Sequence, residues 1–519
     1  MMESRKNPSV VIIGAGMTGI LLVIKLREAG ITNITLLEKA KTIGGTWREN
    51  SYPGVACDVP SHAYTYSFEP NPDWSSFFAS GSEIYHYFKR VYHKYGVDAC
   101  TRLNEGVISC VYRDEKWLVK STQGNTYTAD LLFSATGILH KPVMPEILGL
   151  NSFKGALMHS ARWDHNVALN GKRIGIIGTG SSAAQIIPEL IKLPGTDVTV
   201  FQRTAQWIIH TDNKIYTEAD KKRFREKPFR SQLIRRLSLF IFEQGTTALT
   251  GDNWLNKMTH RLYAWNALRN LKKCVKDPEL RAQLTPHYTF GCKRVVMNGT
   301  FYDAIQQPNA HLITDGIQSI EVNGVITKDG KLHELDVLVC ATGFDPIAYM
   351  RPMEFLGRNG VAIEEAWQKK IQAYRSICVP QFPNFFLMLG PNSPIGNYSV
   401  IAMSEIQSDY IIQLIRYWQA GDLPTIEPKP EALQTWAAML RAKMKKTVWA
   451  SGCQSWYLDA DGDPLTWPDK WKNWVSLMKQ VNLNDFVIRA NAAEPPADRK
   501  AAATKTASKV KSPQTAASV

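Results

Sequence analysis

The sequence has no uninterrupted apolar run long enough to cross a membrane, which takes about 20 residues in a helix. An apolar stretch at residues 10–24 follows Arg5 and Lys6, as in a secretion signal, but a glycine-rich turn interrupts it. We therefore expect no stable insertion of this protein into a membrane.

Closely spaced cysteines are absent as well, because the eight cysteines form no CxxC pair and no other ligand-like spacing. This excludes the redox-active cysteine pair of a disulfide reductase and argues against a structural metal. We expect reduced, mostly buried thiols and a cytoplasmic protein. The cysteines are Cys57, Cys100, Cys110, Cys274, Cys292, Cys340, Cys378 and Cys453.

Acidic residues are too few to balance the basic ones: 47 Asp and Glu face 61 Lys and Arg, which gives a formal net charge of +14. Residues 221–236 alone hold eight basic residues and one acidic residue. Attraction of an anionic ligand or weak adhesion to membranes fits this charge, but a solvated basic face is the simpler interpretation. We find no nucleic-acid-binding module and expect no nucleic-acid partner.

A first dinucleotide-binding unit is indicated near the N-terminus. A β-branched run at residues 10–13 is followed by a glycine turn and then by a helical pattern. Such glycines allow a tight turn, and the helix start binds a pyrophosphate. The next strand ends at Glu38, where an acid accepts hydrogen bonds from a ribose hydroxyl. The glycines of the turn are Gly14, Gly16 and Gly19.

A second unit of the same kind begins with the strand predicted at residues 173–177. Its following strand, at residues 198–201, leads to Arg203 and Thr204, where the first unit has an acid. An arginine there suits the 2′-phosphate of NADPH, so NADPH is favoured over NADH. The turn of this unit is formed by Gly178, Thr179, Gly180, Ser181, Ser182 and Ala183.

The segment at residues 153–164, FKGALMHSARWD, joins the two units. Its spacing resembles the fingerprint of Baeyer–Villiger monooxygenases, flavoproteins that use NADPH and oxygen to convert ketones into esters or lactones. Related monooxygenases that oxidise nitrogen and sulfur usually have an aromatic residue other than tryptophan near its end, so Trp163 followed by Asp164 favours the ketone branch. The matching positions are Phe153, Gly155, His159, Trp163 and Asp164.

Residues 44–58 are similar to a second motif of that family, GGxW followed by YPGxxxD. The resemblance implies that this segment lies beside FAD and that Asp58 pairs with an arginine near the flavin. It also implies a contact of Val107 with the adenine. The residues implied to contact FAD here are Gly45, Thr46, Trp47, Asp58, Tyr64 and Val107.

Lys293 and Arg294 match a Lys-Arg pair of the family, in which the arginine is the active-site cation and the lysine lies near NADP. The resemblance therefore implies Arg294 as a catalytic residue, with Asp58 holding its guanidinium. His159 completes the expected catalytic set. As part of the joint, it is expected to hold the linker by hydrogen bonds rather than to act as a base.

Together these features predict an α/β fold with two Rossmann-like dinucleotide-binding domains, for FAD and NADPH, and a helical insertion. An apolar patch in the insertion, residues 235–242, is expected to pack in the core, with a surface that touches a membrane as the alternative. A helix is predicted at about 399–418. The expected divisions are 1–160 and 341–490 for the FAD-binding domain, 161–340 for the NADP-binding domain with its insertion at about 214–285, and 491–519 for a disordered tail.

The function implied by the resemblance is ketone oxidation, with O2 and a small-molecule ketone as the reacting partners. NADPH would reduce FAD, oxygen would add at flavin C(4a), and the peroxide would attack the ketone carbonyl while Arg294 stabilises negative charge. One alternative is an N- or S-oxygenating flavin monooxygenase, against which Trp163, Asp58 and Arg294 count. The other is a flavoprotein redox sensor or partner-binding module that oxygenates nothing. The sequence leaves the ketone and the oligomeric state open.

Overall fold

The structure, a computed structural model, describes residues 5–396, 398–452, 457–459, 461–463 and 465–488. A five-stranded parallel sheet forms around the first glycine turn, and all four residues of its central strand are buried. Helix Met17–Glu28 leaves this strand and packs against helix Val400–Ala420, where the hydroxyls of Thr18 and Ser404 are 3.0 Å apart. In spatial order, the strands are Phe385–Leu387, Leu131–Ser134, Val10–Ile13, Ile34–Leu37 and Thr101–Arg102.

A second five-stranded parallel sheet forms around the second glycine turn. Its edge strand comes from the segment that joins the two units and pairs with strand Val337–Cys340. That strand precedes the Ala-Thr-Gly sequence at residues 341–343, called here the second ATG turn. The edge strand therefore belongs to the second sheet, although the expected boundary at residue 160 assigns it to the first domain. In spatial order, the strands are Ala310–Ile313, Asp197–Phe201, Arg173–Ile177, Val337–Cys340 and Ala156–His159.

In the described part of the chain, three smaller sheets accompany the two nucleotide units. The four-stranded sheet consists of Glu354–Leu356, Val107–Arg113, Lys116–Ser121 and Thr126–Ala129, the three-stranded sheet of Ile317–Glu321, Gly324–Thr327 and Leu332–Glu334, and the two-stranded sheet of Ile208–Ile209 and Val296–Met297. The α-helices outside the insertion are Met17–Glu28, Thr46–Glu49, Gly81–Lys94, Ser181–Leu190, Phe301–Ala304, Ile363–Ala366, Val400–Ala420, Pro430–Met444 and Trp471–Met478.

The helical insertion contains helices Glu218–Glu226, Phe229–Thr250, Trp254–Cys274 and Pro278–Gln283. We call the two long ones, Phe229–Thr250 and Trp254–Cys274, the helical hairpin. The expectation that the apolar patch at 235–242 packs in the core is wrong for Leu237, Phe240 and Ile241, which are exposed. They lie on the outer face of their helix, whose opposite face carries buried small residues. The expected disordered tail lies outside the described residues.

Candidate active site

The first glycine turn lies against the alanine of the first ATG turn, the Ala-Thr-Gly sequence at residues 135–137. Gly14 has φ of +103°, and a Cβ there would lie 2.7 Å from the carbonyl oxygen of Ala135. A Cβ on Gly19 would lie 2.0 Å from the carbonyl oxygen of Gly14. Only glycine allows such close approaches. No described side chain caps the helix that starts after Gly16, so its first backbone amides remain available to a pyrophosphate.

Glu38 closes the second strand of this unit and is buried, with 4% of its surface exposed. Its carboxylate accepts hydrogen bonds from the amides of Ala15 at 2.9 Å and Ala40 at 3.0 Å. It also pairs with Arg48 at 3.0 Å. The acid is therefore fixed beside the glycine turn, at the end of the strand where a ribose binds in such units.

The GGTW segment crosses directly against the glycine turn. A Cβ on Gly45, whose φ is +52°, would lie 3.0 Å from the Cα of Gly16. The short helix Thr46–Glu49 follows, and the indole N–H of Trp47 donates to the hydroxyl of Tyr64 at 3.2 Å. Burial raises the pKa of Tyr64, so its phenol stays protonated. Glycine backbone next to the half-buried ring of Trp47 and the buried ring of Tyr64 fits the flat ring system of FAD.

Two further elements border this cradle. Val107 is half-buried at the start of its strand, and the amide of nearby Glu105 donates to the carbonyl of Glu38 at 2.8 Å. On the other side, the hydroxyl of Ser399 donates to the carbonyl of Ala63 at 3.0 Å. This bond brings the start of helix Val400–Ala420 next to the residue that precedes Tyr64. A helix start carries partial positive charge, which favours a negatively charged ring nearby.

The second glycine turn repeats the geometry of the first. Gly178 has φ of +109°, and a Cβ there would lie 2.7 Å from the carbonyl oxygen of Ala341, in the second ATG turn. The hydroxyl of Thr179 donates to the carbonyl of Thr204 at 3.2 Å, which fixes the turn beside the end of the next strand. Helix Ser181–Leu190 begins after Gly180, with Ser181 and Ser182 half-buried and Ala183 fully buried.

A cavity of ≈ 500 Å³ opens at that strand end. Arg203, Thr204, Tyr288 and Lys293 line it, together with Gln283 and other neighbours. Burial lowers the pKa of Lys293, and the charge of Arg203 lowers it further. A bound dianion would offset the electrostatic repulsion between these two cations. The site therefore fits the 2′-phosphate of NADPH better than the hydroxyl of NADH.

Arg294 and Asp58 form an ion pair in which Nη2 lies 2.6 Å from Oδ2. The two residues are 236 positions apart, so the pair joins the end of the second unit to the second motif of the first. Attraction to Asp58 raises the pKa of the Arg294 guanidinium above its usual value. Arg294 is therefore a fixed cation at the junction of the two units.

The sequence motifs did not predict the aromatic side chains beside the ion pair of Arg294 with Asp58. Tyr457 interacts electrostatically with Arg294, and a Cβ on Gly396 would lie 2.6 Å from its hydroxyl. The ring of Trp449 lies 5.1 Å from that of Tyr457, and its indole N–H donates to the carbonyl of Gly291 at 3.1 Å. The tryptophan-rich composition of this C-terminal region is the only sequence signal that pointed to it.

The joining segment has a buried, turn-like path. Phe153 and Trp163 are buried, and a Cβ on Gly155 would lie 2.4 Å from the carbonyl oxygen of Asp336. The Nδ1 atom of His159 accepts a hydrogen bond from the amide of Ala161 at 3.0 Å. Burial lowers the pKa of His159, which keeps the imidazole neutral. Through this hydrogen bond, the neutral side chain of His159 stabilises the turn.

Contacts across the joint tie the two units together. Arg162, at the end of the joining segment, forms an ion pair with Glu49 of the GGTW helix. The hydroxyl of Tyr52 donates to the side chain of Gln185 in the NADP-side helix at 3.0 Å. A Cβ on Gly54 would lie 2.5 Å from the carbonyl oxygen of Gln185. The second motif therefore rests on the second unit as well as on the first.

The expectation of reduced thiols throughout is wrong at Cys292, which is disulfide-bonded two residues before Arg294. The sequence around Cys292 has no spacing signal for a disulfide. Cys453 lies outside the described residues. The free thiols are those of Cys57, Cys100, Cys110, Cys274, Cys340 and Cys378. Within the described ranges, no three His, Cys, Asp or Glu residues are grouped to hold a metal, and no helix is both long and apolar enough to span a bilayer.

Comparisons with known proteins agree with this geometry. The family model described as "Pyridine nucleotide-disulphide oxidoreductase" matches residues 11–227. A Baeyer–Villiger monooxygenase of Streptomyces coelicolor is 37% identical over 94% of this chain and 93% of its own length. An uncharacterized monooxygenase of Mycobacterium tuberculosis is 42% identical over 94% of this chain and 97% of its own length.

Two solved structures extend the likeness to the whole fold. The OTEMO complex with FAD and NADP superposes with a TM-score of 0.82 at 26% identity and covers 93% of this chain and 100% of its own. Cyclohexanone monooxygenase with bound ε-caprolactone superposes with a TM-score of 0.80 at 27% identity, again over 93% of this chain and 100% of its own. The predicted fold class is confirmed, and the chain belongs to the Baeyer–Villiger monooxygenase family of flavin- and NADP-dependent enzymes.

Proposed function

We propose that this protein uses FAD, NADPH and O2 to convert a ketone into an ester or lactone. The observation that carries the proposal is the 2.6 Å ion pair of Arg294 with Asp58 at the junction of the two nucleotide units. The pair joins Asp58, in the motif assigned to FAD, to the residue that follows Lys293, which lines the cavity assigned to NADPH. The lactone bound to the related cyclohexanone monooxygenase supports a carbonyl compound as the substrate class.

The two cofactors divide the predicted binding residues between them. FAD is held by the first glycine turn, the buried acid and the GGTW segment, and NADPH by the second turn and the cation-lined cavity. We assign to FAD the residues Gly14, Gly16, Gly19, Glu38, Gly45, Thr46, Trp47, Asp58, Tyr64 and Val107. We assign to NADPH the residues Gly178, Thr179, Gly180, Ser181, Ser182, Ala183, Arg203, Thr204 and Lys293.

When bound, FAD that NADPH has reduced activates O2 and supplies one oxygen atom to the substrate. The residues of the chain hold the reacting groups in position and supply the charge that stabilises them. Arg294 donates hydrogen bonds to the oxygen on which negative charge develops and keeps its own proton, since attraction to Asp58 raises its pKa. Asp58 positions the guanidinium. His159 positions the joint and, being neutral, adds no charge to the site.

We place the protein in the cytoplasm, a proposal supported by the six free thiols among the described residues. The disulfide at Cys292 is the observation against it. The molecule that receives the oxygen atom is a ketone small enough to reach the junction between the two cofactor sites. A panel of ketones measures which size and shape the enzyme accepts.

The test compares purified wild type with Arg294→Ala on a panel of cyclic, aryl and linear ketones, with product analysis. We expect lactone or ester from the wild type. The variant should bind FAD and be bleached by NADPH but lose ester formation by about 100-fold or more, the usual effect of removing a donor to a developing oxyanion. Arg225→Ala is the matched control, because Arg225 also pairs with an aspartate, Asp73, but at an exposed site.

Three results would contradict the proposal. Ester formation retained in Arg294→Ala would remove the role given to the guanidinium. Sulfoxide from thioethers without ester from any ketone would indicate an N- or S-oxygenating enzyme. Consumption of NADPH that yields only hydrogen peroxide, with every ketone in the panel, would indicate a flavoprotein that does not oxygenate.

A further inference from the structure

The outer face of the helical hairpin exposes more large apolar side chains than the rest of the described surface. Trp254 is 75% exposed, Ile241 61% and Phe240 60%. Monomeric soluble proteins rarely leave such side chains together in water unless the face meets a partner. The exposed apolar residues of the hairpin are Phe229, Leu233, Leu237, Phe240, Ile241, Trp254, Leu255, Met258, Leu262, Trp265 and Leu268.

Helical spacing places these residues in stripes. In the first helix they recur every three or four positions from Phe229 to Ile241, and in the second they do so from Trp254 to Trp265. The opposite face of each helix is buried, as Ser238 and Leu271 illustrate. Each helix of the hairpin therefore packs against the rest of the protein by one face and exposes apolar side chains on the opposite face.

Basic side chains border the stripes. Residues 229–274 contain eight Lys and Arg and two Asp and Glu. One of the two acids, Glu243, points inward and accepts a hydrogen bond from Tyr398 at 2.9 Å. The exposed cations are Arg230, Arg236, Lys257, Arg261, Arg269, Lys272 and Lys273. An apolar stripe between cations is the pattern of a helix that lies in the interface of an anionic membrane.

The same charges argue against the other occupants. In a symmetric dimer built on this face, each basic border would meet its own copy, and like charges would repel. The segment after Ala490 carries five basic residues and two acidic ones, so it offers no complementary charge either. Trp254 and Trp265 favour a lipid surface, because tryptophan concentrates at the boundary between headgroups and acyl chains.

We propose that the helical hairpin docks this protein, as a peripheral protein, on the surface of a bilayer rich in anionic phospholipid. The apolar stripes enter the boundary between headgroups and acyl chains, and the lysines and arginines contact the phosphates. Neither helix crosses the bilayer, in agreement with the lack of a spanning helix among the described residues. Lipid binding is separate from the oxygenation chemistry and stands whether or not a ketone is the substrate.

The test is sedimentation of the FAD-loaded full chain with vesicles of phosphatidylcholine alone or of phosphatidylcholine and phosphatidylglycerol in equal parts. We expect binding to the anionic vesicles, weakened by about tenfold or more at high salt because the charges are screened. The double variant Trp254→Ser/Trp265→Ser should lose binding by about tenfold or more, and so should Lys257→Glu/Arg261→Glu. Leu148→Ser/Val322→Ser is the control, because both residues are exposed apolar side chains outside the hairpin.

FAD content and melting temperature confirm that each variant folds, since every substituted side chain faces outward. Equal sedimentation with neutral and anionic vesicles, or none with either, would overturn the proposal. So would a concentration-dependent dimer that the double tryptophan variant converts to monomer while vesicle binding stays absent, because the face would then belong to a second copy of this chain.

Discussion

The two nucleotide units have the same backbone geometry at the glycine turn, but they differ in the side chain that follows the next strand. Gly14 and Gly178 have φ of +103° and +109°, and a Cβ on either would lie 2.7 Å from an alanine carbonyl oxygen. The strand that follows ends in buried Glu38 in the first unit and in exposed Arg203 in the second. The shared turn can bind any pyrophosphate, so the residue at the strand end decides which nucleotide each cradle accepts.

The largest expected effect comes from Glu38→Gln. The amide keeps the size of the side chain but removes the charge that receives the hydrogen bonds of Ala15 and Ala40 and pairs with Arg48. Hydrogen bonds to a charged group contribute about 1.5–3 kcal/mol each, so losing them should weaken FAD binding by about 100-fold. Absorbance of bound flavin after exhaustive dialysis measures the effect.

The paired control for that experiment is Arg203→Gln, which should leave FAD content unchanged. If Glu38→Gln retained one FAD per chain through dialysis, the strand-end acid would not select the first nucleotide. Melting temperature with added FAD separates loss of the cofactor from loss of the fold, because a folded apo-protein gains stability as FAD is restored.

Arg203→Gln itself should change the choice between the two nicotinamide nucleotides. Removing one of the two cations at the cavity should raise the KM for NADPH by about 30-fold, within the range of one charge-assisted hydrogen bond. The KM for NADH should stay within about twofold, because NADH has no 2′-phosphate to lose a contact. Steady-state rates with both nucleotides measure the ratio. An equal rise for both would show that Arg203 only shapes the cavity.

Local patterns predicted most of the scaffold correctly. The strands expected at residues 10–13 and 173–177 occur as Val10–Ile13 and Arg173–Ile177, and the helix expected at 399–418 runs from Val400 to Ala420. Strand burial and helical periodicity are encoded within a few residues of each other, so they can be read directly. Family motifs likewise predicted the pairing of Arg294 with Asp58, which the structure contains.

What the sequence did not predict depends on contacts between distant residues. Tyr457 is no part of a motif, and its place beside Arg294 follows from how the C-terminal region wraps around the junction. Cys292 is disulfide-bonded without a spacing signal. The apolar patch at residues 235–242 was assigned to the core because an amphipathic helix has the same periodicity whether its apolar face is buried or exposed. The exposure of Phe240 and Ile241 shows that this part of the helix faces outward.

The smallest expected effect is a change in pH dependence at Lys293. Burial and the neighbouring charge of Arg203 lower the pKa of Lys293, so this cation loses its proton at a lower pH than an ordinary lysine. The kcat/KM for NADPH reports the free enzyme, and it should therefore fall by about fivefold as pH rises through that lowered pKa. The values for NADH should not show this step, because the lost charge faces a phosphate that NADH lacks.

Lys293→Arg sharpens the assignment, because a guanidinium keeps its proton throughout the working pH range. At neutral pH the variant should match the wild type within about twofold, since both carry one charge at this position. At alkaline pH the fall in kcat/KM for NADPH should disappear while that of Arg203→Gln remains. A fall that persists unchanged in Lys293→Arg would trace the pH dependence to a group other than Lys293 and leave the second cradle with Arg203 as its selecting cation.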